Sequence, residues 1–269
     1  LRQFDSALEG HPVPRLAGVR IGTGSLGQGL SAGLGLAKAM KLDGIDRHAY
    51  VLLGDGEMAE GNVWEAINIA PHLGLENVIG IIDVNRLGQS QATMYEWDTE
   101  SYRAKLEAFG WYPQVVDGHS VEELATAFVQ AVHSDRPSMI IAKTVKGKGV
   151  DFLENANGRH GKAVSDDELA EAKKQLQSKL KDAPGEPENQ RSLAPMPRHA
   201  TPSVSVTPDY SKGEEEATRT AYGKALAKLG AEDESIIVLD GDVKGSSRTK
   251  FFFKEFPERS IEGYIAEQN

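Results

Sequence analysis

The chain has 269 residues, 39% hydrophobic and 26% charged, with a formal net charge of −10 and no cysteine. That length can bury a substantial core and leaves room for one large domain plus part of another. The charge balance excludes a general nucleic-acid binder, whose target needs a basic footprint; the absence of thiols excludes disulfides, thiolate zinc sites and cysteine nucleophiles; and no apolar run approaches the roughly 20 residues of a membrane helix.

The chain opens on Leu1 rather than methionine and carries no signal-peptide pattern, so the expectation is a cut or processed N-terminus. A polar lead-in contains Glu9-Gly10-His11-Pro12, a rigid turn that holds an imidazole, although a lone loop histidine is more often a solvated surface group. Ile21 to Gly29 is glycine-rich and feeds a helix from Leu30 to Met40, a natural anion site because unsatisfied N–H groups converge there. Gly22, Gly24 and Gly27 match the dinucleotide fingerprint, which would suggest a nicotinamide dehydrogenase. The context argues against it: no buried strand reads before the glycines, and Asp43 and Asp46 sit in a polar turn rather than at a strand end. Ser31, Ala32, Gly33 and Gly35 read equally as a closely packed helix face.

From Tyr50 to Gln91 two short apolar runs, Val51 to Leu53 and Val78 to Val84, frame an amphipathic segment and read as a strand-helix-strand unit. The first run ends in Gly54-Asp55-Gly56-Glu57 and the second in Asp83-Val84-Asn85-Arg86-Leu87-Gly88. Such ends face a common crevice in an open parallel sheet. Asp55 and Asn85 stand 30 positions apart and can therefore meet on one cation. Their carboxylate and amide oxygens, with a backbone carbonyl, suit a hard ion such as magnesium. An isolated Asp-Gly would read as an ordinary turn; the second strand end carrying Asn85 is what favours metal.

Helical spacing resumes over Thr99 to Phe109, Trp111 to Val116 reads as a strand, and Ser120 caps a helix over Val121 to Val132. Asp117 and His119 take turn and cap roles. A strand over Ser138 to Lys143 leads into Thr144-Val145-Lys146-Gly147-Lys148-Gly149, a phosphate-proximal loop or simply a turn with solvated lysines. His160 follows between Arg159 and Gly161, and Ser165 caps a charged helix reaching about Leu180. Residues 183–208 hold six of the chain's 12 prolines and read as a linker between a first domain, 1–182, and the start of a second, 209–269. There a helix is expected over Gly213 to Gly230, a strand over Ile236 to Leu239 ending in Asp240-Gly241-Asp242, a helix around Phe251 to Phe256, and another strand before Tyr264. The fold class expected is α/β, a parallel sheet flanked by helices, with a second α/β domain begun.

Together these strings resemble the transketolases, thiamine-diphosphate enzymes, and the animal-type branch in particular. The resemblance is carried by Gly24-Ser25-Leu26-Gly27-Gln28-Gly29, Leu53-Gly54-Asp55-Gly56-Glu57, Glu60-Gly61, Trp64-Glu65-Ala66, Asp83 to Ser90, Val116-Asp117-Gly118-His119 and Ile265 to Asn269. It implies a thiamine-diphosphate-binding fold and transfer of a two-carbon ketol unit from a ketose phosphate to an aldose phosphate, a step of the pentose phosphate pathway. It also implies a cytoplasmic homodimer with the active site between subunits. By resemblance Asp55, Asn85 and the Leu87 carbonyl hold magnesium or calcium, which holds the diphosphate; Gly24, Ser25, Leu26 and Gly56 line the cofactor, with Asn85, Lys146 and His160 beside it. Glu267 becomes the catalytic glutamate that protonates the aminopyrimidine ring of the partner's cofactor. His11 and His160 assist proton movements, and Arg219 and Ser246 bind the distal sugar phosphate. Arg159 stands where the family has a tryptophan. Alternatives within the same cofactor class are dihydroxyacetone or deoxyxylulose-phosphate synthases; a non-catalytic cofactor-binding fragment is an alternative of another class.

Overall fold

A computed structural model describes residues 3–6, 8–16, 19, 21–179 and 204–269. The chain falls into two compact units, Leu1–Gln190 and Arg191–Asn269. Of the expected linker, residues 183–203 lie outside the described residues.

The first unit is built on four parallel strands, β1 (Ala49–Gly54), β2 (Val78–Val84), β3 (Tyr112–Asp117) and β4 (Ser138–Lys143), in the order β1-β2-β4-β3. The central strands β2 and β4 are nearly continuous apolar runs because both their faces are covered. β1 does not share this burial, although its run is also apolar. It is an edge strand with alternating burial: Ala49, Val51 and Leu53 face the core, while Tyr50 and Leu52 remain 56% and 72% exposed.

On one face lie α1 (Gln28–Leu42), α2 (Gly61–His72) and α3 (Thr99–Ala108), enclosing a core that includes Leu53, Ile67, Ile82, Leu106 and Trp111. The opposite face carries α4 (Val121–Val132) over a smaller cluster of Ile79, Ala127, Ala131 and Ile140. α1 buries Leu30, Gly33, Leu34 and Ala37, one stripe of a 3.6-residue period. Of its small residues Gly33 serves close packing, since a Cβ there would stand 2.4 Å from Val51 Cγ2, whereas Gly35 is exposed with open space beside it. In α2, Pro71 lacks the N–H that would bond the Ile67 carbonyl. The Trp111 indole N–H donates to that carbonyl instead, at 2.8 Å. The caps follow the sequence: Ser120 accepts from Glu123 N–H, and Ser165 and Glu168 bond reciprocally at the start of α5 (Asp166–Lys179).

The second unit holds α6 (Thr218–Glu232), β5 (Val238–Asp240), α7 (Lys244–Ser247), α8 (Lys250–Glu255) and β6 (Ser260–Glu262), with β5 and β6 parallel. The helix expected from Gly213 starts at Thr218, because Gly213 takes a left-handed φ of +95° and Ala217 is extended. Gly230 of α6 lies against Phe252, and Arg259 donates to the Gly230 and Asp233 carbonyls at that helix's end.

Candidate functional site

The parallel register sets Gly54 beside Asp83, so the residues following β1 and β2 emerge together at the carboxyl edge of the sheet. Asp55 is 5% exposed. Its Oδ1 accepts from Gly56 N–H at 2.9 Å, and its Oδ2 accepts from Arg86 N–H at 2.7 Å and the Thr93 hydroxyl at 3.1 Å. Arg86 reaches it from a left-handed backbone, φ +63°, uncommon outside glycine. Burial pushes the Asp55 carboxyl above its ordinary range, and neighbouring Asp83 adds to this; the Thr93, Arg86 and Gly56 donors oppose it. A raised folded pKa means that this carboxylate weakens the fold as pH rises through it, a balance that a facing cation would reverse.

Asn85 and Leu87 complete the strand-tip group. The Asn85 amide donates to Asp83 Oδ2 at 3.0 Å, and its Oδ1 accepts from Leu87 N–H at 3.1 Å. The Leu87 carbonyl accepts from Lys146 Nζ at 3.5 Å, and the same ammonium donates to His160 Nδ1 at 3.1 Å. A carboxylate offers about four lone-pair sites and a carbonyl oxygen about two. By that count Asp55 Oδ1, Asn85 Oδ1 and Leu87 O each keep one lone pair after their internal bonds. The donor set therefore fits one hard cation bound by a carboxylate and two neutral oxygens. Among the described residues no cluster of three or more His, Cys, Asp or Glu could hold a metal, so a cation here relies on those amide and carbonyl oxygens. Asn85, Lys146 and His160 also line a cleft of about 1150 Å³ that includes Asp83, His119 and Lys148.

Of the remaining predicted residues, His11 and Gly24 come together: Gly24 has φ +111°, and a Cβ there would stand 2.6 Å from His11 Cγ. Ser25 and Leu26 are exposed in the loop before α1. At the helix N-terminus expected to bind an anion, one N–H is met by the chain itself: Glu57 Oε1 accepts from Gly27 N–H at 2.8 Å, and its Oε2 accepts from Gly54 N–H at 3.2 Å. Asn62 donates to the Gly27 carbonyl at 3.0 Å, leaving both polar groups of that residue engaged. No strand precedes Gly22, Gly24 and Gly27 among the described residues, so nothing described there supports the dinucleotide reading. Asp117 and His119 do take turn roles: Asp117 Oδ1 accepts from His119 N–H, and His119 Nε2 from Val145 N–H at 2.8 Å. Arg159 pairs with Glu168 at 2.8 Å. Arg219, Ser246 and Glu267 are exposed and belong to the second unit.

Sequence reasoning missed Glu57, Thr93 and Arg86 as parts of the site. Glu57 and Arg86 stood inside the quoted strings, but a string does not say where a side chain bonds. Thr93 lies in the polar stretch from Gly88 to Asp98, which reads as a loop able to cover a cofactor, but nothing marked Thr93 itself.

Comparison with known proteins bears on the same residues. The family profile "Transketolase, thiamine diphosphate binding domain" matches residues 1–184, and "Transketolase, pyrimidine binding domain" matches residues 214–269. Transketolase-like protein 2 of Bos taurus is 46% identical over 279 aligned residues, covering 100% of this chain and 44% of that protein. Transketolase of Homo sapiens is 46% identical over 281, covering 100% and 43%. Among solved structures, transketolase from Campylobacter jejuni superposes with a TM-score of 0.72 at 27% identity, over 99% of this chain and 48% of that one. A Pichia stipitis transketolase in complex with xylulose 5-phosphate gives 0.64 at 23% identity, over 92% and 45%, and speaks for the fold alone. The chain thus spans less than half the length of these relatives.

Proposed function

Because this chain belongs to the transketolase family and carries its thiamine diphosphate binding domain, we propose that it forms part of an enzyme transferring a two-carbon ketol unit from a ketose phosphate to an aldose phosphate, as in the pentose phosphate pathway. The observation that carries the reading is the set of three oxygens, on Asp55, Asn85 and Leu87, each with an unused lone pair at neighbouring strand tips. These would hold magnesium or calcium, and through it the cofactor diphosphate. When bound, thiamine diphosphate supplies the carbanion chemistry that no side chain can.

The chain's own residues orient and move protons around it. Gly24, Ser25, Leu26 and Gly56 line the cofactor, and the Lys146 ammonium, bridging Leu87 O and His160 Nδ1, sets a positive charge beside its phosphates. His11 and His160 contact sugar hydroxyls and relay protons. Arg219 and Ser246 grip the distal phosphate, for which a guanidinium fork is suited. Glu267 would meet the aminopyrimidine ring of the opposite subunit's cofactor, in a homodimer, as the catalytic glutamate. On this reading the domains run 1–182 and 209–269 with residues 183–208 between them, and the setting is the cytoplasm. No described helix is long and apolar enough to cross a membrane.

Calorimetric titration with thiamine diphosphate and Mg²⁺ tests the central point. Asp55→Ala should weaken metal-dependent cofactor binding by about 100-fold, equivalent to about 2.7 kcal/mol; unchanged affinity would sink the assignment. Turnover of xylulose 5-phosphate without turnover of pyruvate separates this activity from that of the deoxyxylulose-phosphate synthases.

A further inference from the structure

The two oxygens of Asp55 are not equivalent. Oδ1 accepts a single bond, from Gly56 N–H at 2.9 Å, the turn residue next in sequence. Oδ2 accepts two, from Arg86 N–H at 2.7 Å and from the Thr93 hydroxyl at 3.1 Å. An acceptor oxygen of a carboxylate has about two lone-pair sites, so Oδ2 is filled and Oδ1 is half free. Thr93 is the only side chain among these donors, and it comes from a loop 38 positions away in sequence.

The loop holds Thr93 firmly. Its N–H donates to the Arg86 carbonyl at 2.8 Å, Gly88 N–H donates to the Gln91 carbonyl at 2.8 Å, and Leu87 and Ala92 form an antiparallel bridge. Thr93 is 9% exposed, and its Cγ2 lies 3.7 Å from where a Gly56 Cβ would stand. The hydroxyl is thus fixed by the same turn that presents Asn85 and Leu87.

This matters because hard divalent ions differ in how they take a carboxylate. Magnesium demands a small, near-octahedral shell in which a carboxylate contributes one oxygen; calcium accepts more ligands at longer distance and readily takes both oxygens of one carboxylate. Resting on the metal reading above, we propose that Thr93 is a specificity-determining residue: by occupying Asp55 Oδ2 it makes the carboxylate a one-oxygen ligand and biases the site toward magnesium over calcium. Removing the hydroxyl frees a lone pair on Oδ2 and lets Asp55 turn to offer both oxygens.

The test measures metal affinity rather than turnover. Bound Mn²⁺ is followed by electron paramagnetic resonance in the full chain with thiamine diphosphate present, and Mg²⁺ and Ca²⁺ are each used to displace it. Thr93→Val and Thr93→Ala, which both lack the hydroxyl, should shift the Ca²⁺ to Mg²⁺ affinity ratio toward calcium by about tenfold, the scale of one hydrogen bond to a charged group. Thr93→Ser should keep the original ratio. Equal weakening of both ions in Val and Ala, or a Ser variant that behaves like them, overturns the proposal, since Thr93 would then only fill space. The Asp55→Ala control separates this failure from that of the underlying reading. If Mn²⁺ still binds that variant at wild-type strength, no cation sits on Asp55, and both ideas fall together.

Discussion

Asp55 follows strand β1 in a Leu-Gly-Asp context and Asp240 ends strand β5 in a Leu-Asp-Gly context, yet their surroundings give them opposite tendencies. Burial works to raise the Asp240 carboxyl too, but the Thr249 hydroxyl at 2.6 Å, the Val243 N–H at 2.7 Å and the Ser247 hydroxyl at 3.0 Å outweigh it and hold it below its ordinary value. A lowered folded pKa contributes stability that is present above the unfolded value, about 3.9, and is lost as pH falls through the folded one. Asp240→Asn should therefore reduce the stability of the second unit at neutral pH by about 1–3 kcal/mol and flatten its acid-induced decline. Urea unfolding near neutrality and in acid would show this, and parallel pH profiles for variant and parent would refute it. Asp55, whose carboxyl is raised instead, is the acid whose burial makes sense with a cation in front of it.

At the scale of elements, the link between the glycine-rich loop and the tip of β1 depends on one side chain. Glu57 accepts from two N–H groups that belong to separate segments, Gly27 and Gly54. Only a carboxylate can accept at both ends; the amide of glutamine would set an NH₂ against one of the two donors. Glu57→Gln should lower stability by about 1–3 kcal/mol, and amide hydrogen exchange at Gly27 or Gly54 should quicken while Val78–Val84 remains protected. Exchange rates unaltered at both glycines would show that the clamp does not hold the loop. Elements themselves were legible in the chain: the runs over 121–132 and 138–143 match α4 and β4 because caps and apolar blocks are local signals. The start of α6 was not, because the polar residues after Gly213 fit a helix or a turn equally well until packing decides.

For the whole molecule, the proposed sharing of sites between subunits has a direct consequence. Asp55 would serve the cofactor bound by its own subunit and Glu267 that bound by the partner. A mixed dimer of Asp55→Ala and Glu267→Ala chains would carry both defects in one site and neither in the other. Mixing two inactive full-length variants, with dissociation and reassembly, should then restore activity, and steady-state ketol transfer from xylulose 5-phosphate would report it. Mixtures as inactive as their components would argue that each subunit builds its site alone.

The sequence by itself determined the α/β class, the strand tips bearing Asp55 and Asn85, and a family resemblance that comparison with relatives bore out. These follow from apolar periodicity and from motifs only a few residues long, both readable in order along the chain. Only the tertiary structure decided which oxygens of Asp55 are already engaged, that Glu57 rather than a ligand meets Gly27 N–H, and that Thr93 belongs to the site. Those bonds join residues 30 to 38 positions apart; their partners are chosen by strand register and loop closure, which exist only once the sheet has formed.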